Sequence, residues 1–140
     1  MRQKGFATLE VILMVMVIGI LASIAVPRFT NVTTAANTAK IQSDLSTIDT
    51  AIAIYVMEKG TTTAPSLGAS GTLKDYIQDI ANVKPPTGNA YINGTSTKIN
   101  ATTYDIKTIG TGDNVEYRAT LDGYTSGEFT NKSSSGNNNG

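Results

Sequence analysis

Between Phe6 and Val26 the chain runs for 21 residues with one charged side chain, Glu10, in the fifth place. As a helix rising about 1.5 Å per residue, that run covers about 30 Å, the thickness of a bilayer's hydrocarbon core. A lone carboxylate in such a helix costs about 2.5–3.5 kcal/mol at the bilayer centre. An opposite charge would offset that cost. The nearest one the chain can make is an α-amino group on Phe6, created if the backbone is cut after Gly5. Arg2 and Lys4 precede the run, and Arg28 is the one basic residue close behind it. The positive-inside rule then keeps residues 1–5 cytoplasmic and exports the chain from Arg28 onward.

Composition narrows the function more than the fold. The 140 residues leave room for one modest domain beside the apolar run. There is no Cys, His or Trp, so disulfides, thiolate metal sites and imidazole or thiol catalysis are excluded. A structural role is expected rather than an enzymatic one, with no cofactor. Eleven basic residues balance eleven acidic ones, and losing Arg2 and Lys4 leaves the chain two charges negative. Charge alone therefore gives no sign of a nucleic-acid partner.

The string Lys4-Gly5-Phe6-Ala7-Thr8-Leu9-Glu10, the apolar run, and Val26-Pro27-Arg28-Phe29 resemble the class III signal of type IV pilins and type II secretion pseudopilins. Ala7 stands where that family most often has Thr, and Glu10 keeps its place. The likeness extends through the long N-terminal helix. It implies that a prepilin peptidase cuts between Gly5 and Phe6, that the Phe6 amine is then methylated, and that Phe6 and Glu10 drive assembly. In the filament Glu10 would neutralise the Phe6 amine of a neighbouring copy. The implied partners are other copies in a helical filament, the peptidase, an inner-membrane assembly platform, and the membrane itself before assembly. Gly5 has a physical rationale of its own, since a side chain there would crowd a protease that bends the chain at the membrane face. The competing reading is an ordinary secretory signal cut near Ala22-Ser23-Ile24-Ala25. Glu10 inside the run and the Gly5-Phe6 junction before it favour the class III signal. The competing role for Glu10 is a carboxylate that snorkels to the interface, one turn from the helix start.

Behind Pro27 the apolar spacing turns helical. Ile41, Leu45, Ile48, Ile52 and Tyr55 recur at steps of four and three, one stripe of an amphipathic helix. Lys40, Asp44, Asp49 and Glu58 fall off that stripe and are expected to face solvent. Gly60 and the Thr61–Pro65 stretch end the helix. Gly19 and Pro27 are its weak points, Pro27 because it removes a hydrogen bond and bends the helix. Leu73, Tyr76, Ile77 and Ile80 predict a short second helix from about Thr72 to Val83. A first strand is expected around Ala90–Asn93. The alternating runs from Tyr104 to Ile109 and from Val115 to Leu121 predict a hairpin with one buried face over a Gly110–Asn114 turn. The fold class is α+β, a long N-terminal hydrophobic helix whose C-terminal half packs on a small antiparallel sheet, as the family resemblance also implies. The expected organisation is a leader at 1–5, a membrane or filament-core helix half at 6–26, an amphipathic half at 27–60, a loop and sheet domain at 61–122, and a flexible tail at 123–140.

Asp113, Asp122 and Glu128 invite a calcium reading, because major pseudopilins carry a calcium loop near the C-terminus. Calcium takes six to eight oxygens, and Asp122 and Glu128 supply two carboxylates, so turn acids are expected and no metal. Four Asn-x-Ser/Thr sequons, at Asn31, Asn93, Asn100 and Asn131, are expected by chance in a chain this rich in Asn and Thr. Scattered aromatics favour packing over an electron path. The functional expectation is a type IV pilus-like structural subunit. The alternatives are the major pseudopilin of a type II secretion or DNA-uptake system, and a tip subunit that contacts DNA or a surface.

Overall fold

One helix, α1, spans Arg2–Lys59. The computed structural model describes residues 2–133, with side-chain surroundings for all of these except 2–4 and 25–29. By contacts the chain divides into two units, residues 1–33 and residues 34–140. The first unit is the front of α1. Every residue of its Gly5–Ile24 stretch is exposed.

The second unit is built on the rear of α1. Ile41, Leu45, Ile48, Ile52 and Tyr55 are all at most 5% exposed, as their spacing predicts. Burying an aliphatic side chain of this size contributes about 1.5–3 kcal/mol, so the stripe is what holds this half of the helix to the body. The stripe starts earlier than its large apolar members. Thr34 and Thr38 are also buried, and the Thr38 hydroxyl donates to the Thr34 carbonyl at 2.7 Å. The helix ends at Gly60, whose φ of +80° suits a residue without Cβ. Its N–H still donates to the Val56 carbonyl at 2.8 Å.

The body packs four strands and three short 3-10 turns against that stripe. Strand β1 (Asn89–Ile92) pairs antiparallel with β2 (Thr95–Lys98), and β3 (Asp105–Ile109) pairs antiparallel with β4 (Glu116–Thr120). The antiparallel region is present but divided into two two-stranded ribbons. The reason lies on the helix, which itself supplies partners for strand-edge backbone groups. Thr38 Oγ1 accepts the Tyr91 N–H at 2.7 Å, and Asp49 Oδ1 accepts the Ala119 N–H at 2.8 Å. Asn37 donates to the carbonyls of Thr87 and Asn89 at 3.1 and 2.9 Å. Buried or half-buried amides must find partners, and here polar helix residues stand in for a neighbouring strand.

The hairpin lies where the alternation placed it. Its buried face belongs mainly to β4, where Tyr117 and Ala119 are covered; across the register Thr108 is exposed and Ile106 half-buried. The first hairpin carries an unanticipated strand, β2. Its turn is Asn93-Gly94, with φ of +48° and +85°, the left-handed pair that a type I′ turn requires. The predicted second helix is instead two 3-10 turns, Thr72–Asp75 and Ile80–Asn82. Asp79 between them takes a left-handed φ of +60°, which an α-helix cannot carry. Leu73, Ile77 and Ile80 are nonetheless buried.

The segment after Gly123 is anchored rather than loose. Phe129 is fully buried, and the carbonyls of Glu128 and Thr130 accept the N–H groups of Asn93 and Gly94 at 2.8 and 2.9 Å. Residues 134–140 of the expected tail lie outside the described residues.

Candidate functional site

The largest unsatisfied demand in the first unit is apolar. Gly5–Ile24 is a 20-residue helical span of mean hydropathy 2.4 with none of it covered. Phe6, Leu9, Leu13, Met14 and Ile18 are each about 60–70% exposed. The span is long and apolar enough to cross a membrane, and a monomer in water would leave the whole of it wet. At about 25 cal/mol per Å² of apolar surface, a lipid or protein environment is strongly favoured. Glu10 sits exposed within it and has no ion-pair or hydrogen-bond partner among the described residues. A bare carboxylate on an apolar helix is the charge that an amine from another molecule would neutralise.

Gly5 and Gly19 have open space around them, with no atom within 4 Å of where a Cβ would stand. Nothing in the folded chain therefore demands glycine at position 5. Pro27 lies within α1, and its side chain is outside the described residues. Having no N–H, it leaves the Ser23 carbonyl without its helical donor. One turn before, the Ser23 hydroxyl donates to the Ile20 carbonyl at 2.7 Å. Pro27 thus removes one hydrogen bond from the α1 ladder within the 19–27 stretch.

Asp122 and Glu128, the two carboxylates of the calcium reading, are both engaged by backbone amides. Asp122 accepts the N–H groups of Asn100 and Ala101 at 2.9 and 3.0 Å. Glu128 accepts the Thr125 N–H at 2.8 Å in a capping box. Both carboxylates hold backbone. Among the described residues no group of three or more metal-ligating side chains gathers anywhere.

Sequence reasoning missed the polar contacts along the rear of α1. Asp44 and Asp49, expected in solvent, are half-buried. Tyr104 donates to Asp44 Oδ2 at 2.6 Å, and Lys40 bridges the same oxygen. Burial first, and then the hydrogen bond to Asp44, push the Tyr104 hydroxyl well above the ordinary tyrosine range. Arg118 reaches Asp49 at 3.3 Å. At the helix end Tyr76 donates to Glu58 at 2.6 Å. That bond holds the Glu58 carboxyl below its usual range, and it pushes Tyr76 up to about 12. For Asp44 and Asp49 the sequence signal was a position one residue from the buried stripe.

Comparison with known proteins points one way. The chain is 38% identical over 71 residues to the major component of the narrow type IV pilus of Thermus thermophilus, covering 50% of this chain and 61% of that protein. It is 33% identical over 78 residues to a fimbrial protein of Pseudomonas aeruginosa, covering 56% and 47%. It is 29% identical over 105 residues to core protein G of the type II secretion system of Escherichia coli, covering 65% and 71%. The chain thus spans about half to three-fifths of the first two relatives. No family model matches it, and no solved structure gives a significant match.

Proposed function

We infer that this chain, a member of the type IV pilin and pseudopilin family, is the repeating structural subunit of a helical, pilus-like filament. The observation that carries the reading is the fully uncovered Gly5–Ile24 helix with one unpartnered carboxylate, Glu10. In a bilayer the span anchors the subunit. In a filament the same surface packs against other copies, and Glu10 meets the Phe6 amine of a neighbour. Prepilin peptidase exposes that amine by cutting between Gly5 and Phe6, and the amine is methylated. An inner-membrane assembly platform then moves the subunit from membrane to filament, with the body outside the cytoplasm.

By name, the relatives above are components of a pilus, a fimbria and a secretion system, which supports a structural rather than an enzymatic role. A second reading is the major pseudopilin of a type II secretion or DNA-uptake system, favoured by the similarity that covers 71% of core protein G. A tip subunit that contacts DNA or a surface fits less well, because Glu10 suits a repeating contact. Mass spectrometry of purified material tests processing: the mature chain is expected to begin at N-methylated Phe6. Retention of residues 1–5, or a cut near Ala25, overturns it. Electron microscopy of sheared surface material then separates the first two readings, with abundant thin filaments of this chain marking a pilin.

A further inference from the structure

We propose that Asn93 is a latent deamidation site, held unreactive by the C-terminal segment that docks over it. The inference is independent of the filament reading. The chemistry is built into the Asn-Gly pair. The Gly94 amide nitrogen, losing its proton, attacks the side-chain carbonyl carbon of Asn93. Ammonia leaves with the carbon–nitrogen bond it breaks, and a five-membered succinimide forms. Water then opens the ring at either carbonyl, giving aspartate or isoaspartate at position 93. No reactant beyond water is needed. Glycine makes the attack fast because no side chain hinders it, and every other described asparagine is followed by a residue that carries one.

Three observations place a guard on this reaction. The turn is already in the left-handed conformation, with φ of +48° and +85°, and Asn93 is half-buried. The attacking nitrogen is occupied, because the Gly94 N–H donates to the Thr130 carbonyl at 2.9 Å while the Asn93 N–H donates to that of Glu128 at 2.8 Å. The guard also lies directly on the turn: a Cβ on Gly94 would come within 2.7 Å of the Ser133 nitrogen. The segment is pinned by fully buried Phe129 and by the Thr125–Glu128 capping box. Undocking it frees the nitrogen and turns the pair into an ordinary Asn-Gly turn.

The product makes undocking one-way. Isoaspartate inserts a methylene into the main chain between the two amides that grip residues 128 and 130. It also puts a charged carboxylate in place of a neutral amide at a half-buried position. The spacing and the charge both then oppose redocking.

The test follows isoaspartate at position 93 by peptide mapping, which separates it from the other Asn-Gly pair at 139–140. The full chain in detergent micelles is compared with a free peptide of residues 90–98 in mildly alkaline buffer. The native chain is expected to react at least about tenfold more slowly than the peptide. Phe129→Ala is expected to raise the rate to near that of the peptide while the helical circular dichroism of α1 persists. Should Phe129→Ala unfold the whole body, Thr125→Val decides, since it breaks only the capping box. Its reaction rate is expected to rise in step with hydrogen exchange at the Gly94 amide. A native chain reacting as fast as the peptide overturns the proposal. So does a variant whose Gly94 amide exchanges freely while Asn93 stays intact.

Discussion

Glu10 and Tyr104 show how one side chain takes its meaning from what surrounds it. Glu10 is exposed on an apolar helix with no partner among the described residues, so its role depends on a second molecule. If it pairs with a neighbour's Phe6 amine, Glu10→Val leaves that amine buried and unpaired, a penalty of about 3–5 kcal/mol at each contact. The variant is expected to be cleaved and membrane-bound but unassembled, and normal filament yield by electron microscopy would reduce Glu10 to an interfacial charge. Gly5 separates folding from processing in the same way. Its surroundings are open, so Gly5→Leu is expected to keep α1 and still block cutting, read as retained residues 1–5. Tyr104 is the buried counterpart. Its hydroxyl is raised by burial and by Asp44, so above the ordinary tyrosine pKa of about 10 the unfolded chain gives up a proton that the folded chain keeps. Stability from this group is full below that pH and falls as pH rises. Tyr104→Phe is expected to cost about 0.5–1.5 kcal/mol at neutral pH, and to lose less between pH 8 and 11 than the native chain in urea titrations.

Elements differ in how firmly their local sequence fixes them. The β3–β4 connection depends on Gly110, at φ +85° with Asn114 O 2.1 Å from any added Cβ. Gly110→Ala therefore strains the backbone and meets a carbonyl, and is expected to cost about 1–3 kcal/mol in thermal or urea unfolding. Gly19→Ala, in open space, is expected to stabilise α1 by up to about 1 kcal/mol. The same reasoning bears on the filament. We propose, as the family resemblance implies, that the 19–27 stretch extends on assembly, where Gly19 and Pro27 make local melting least costly. Its freed backbone groups would need protein partners in an apolar core, and the Ser23 hydroxyl, already on the Ile20 carbonyl, is one of them. An unbroken helix through residues 19–27 in a filament map at side-chain resolution would remove the proposal.

For the molecule as a whole, the two units place different requirements on their surroundings. All the large core side chains, from Ile41 to Phe129, belong to residues 34–140, while the Gly5–Ile24 surface has no cover of its own. A chain starting at Thr34 is therefore expected to be soluble without detergent and to unfold in one cooperative transition. Aggregation of that fragment, or a gradual melt, would show that the core depends on the front of α1.

The sequence by itself determined the exposed apolar helix, its lone carboxylate, the five-residue helical stripe and the β3–β4 hairpin. Each is carried by neighbouring residues alone, as an unbroken apolar run with one charge or as a regular helical or alternating spacing, so no distant contact is needed to recognise it. The Asn93-Gly94 turn was also written locally, although polar Thr95–Lys98 hid the strand behind it. Tertiary structure alone decided the rest. Thr38 on the stripe, and Asp44 and Asp49 beside it, are polar residues, and only the approach of β1, Tyr104 and β4 turns them into long-range hydrogen-bond partners. Residues 72–82 keep their buried apolar positions but lose their helix at Asp79, whose left-handed φ of +60° interrupts it. Phe129 is one aromatic in a Gly-, Ser- and Asn-rich stretch with no period around it. What fixes it is a core assembled from residues up to 88 positions away, and a local pattern cannot report a contact made at that distance.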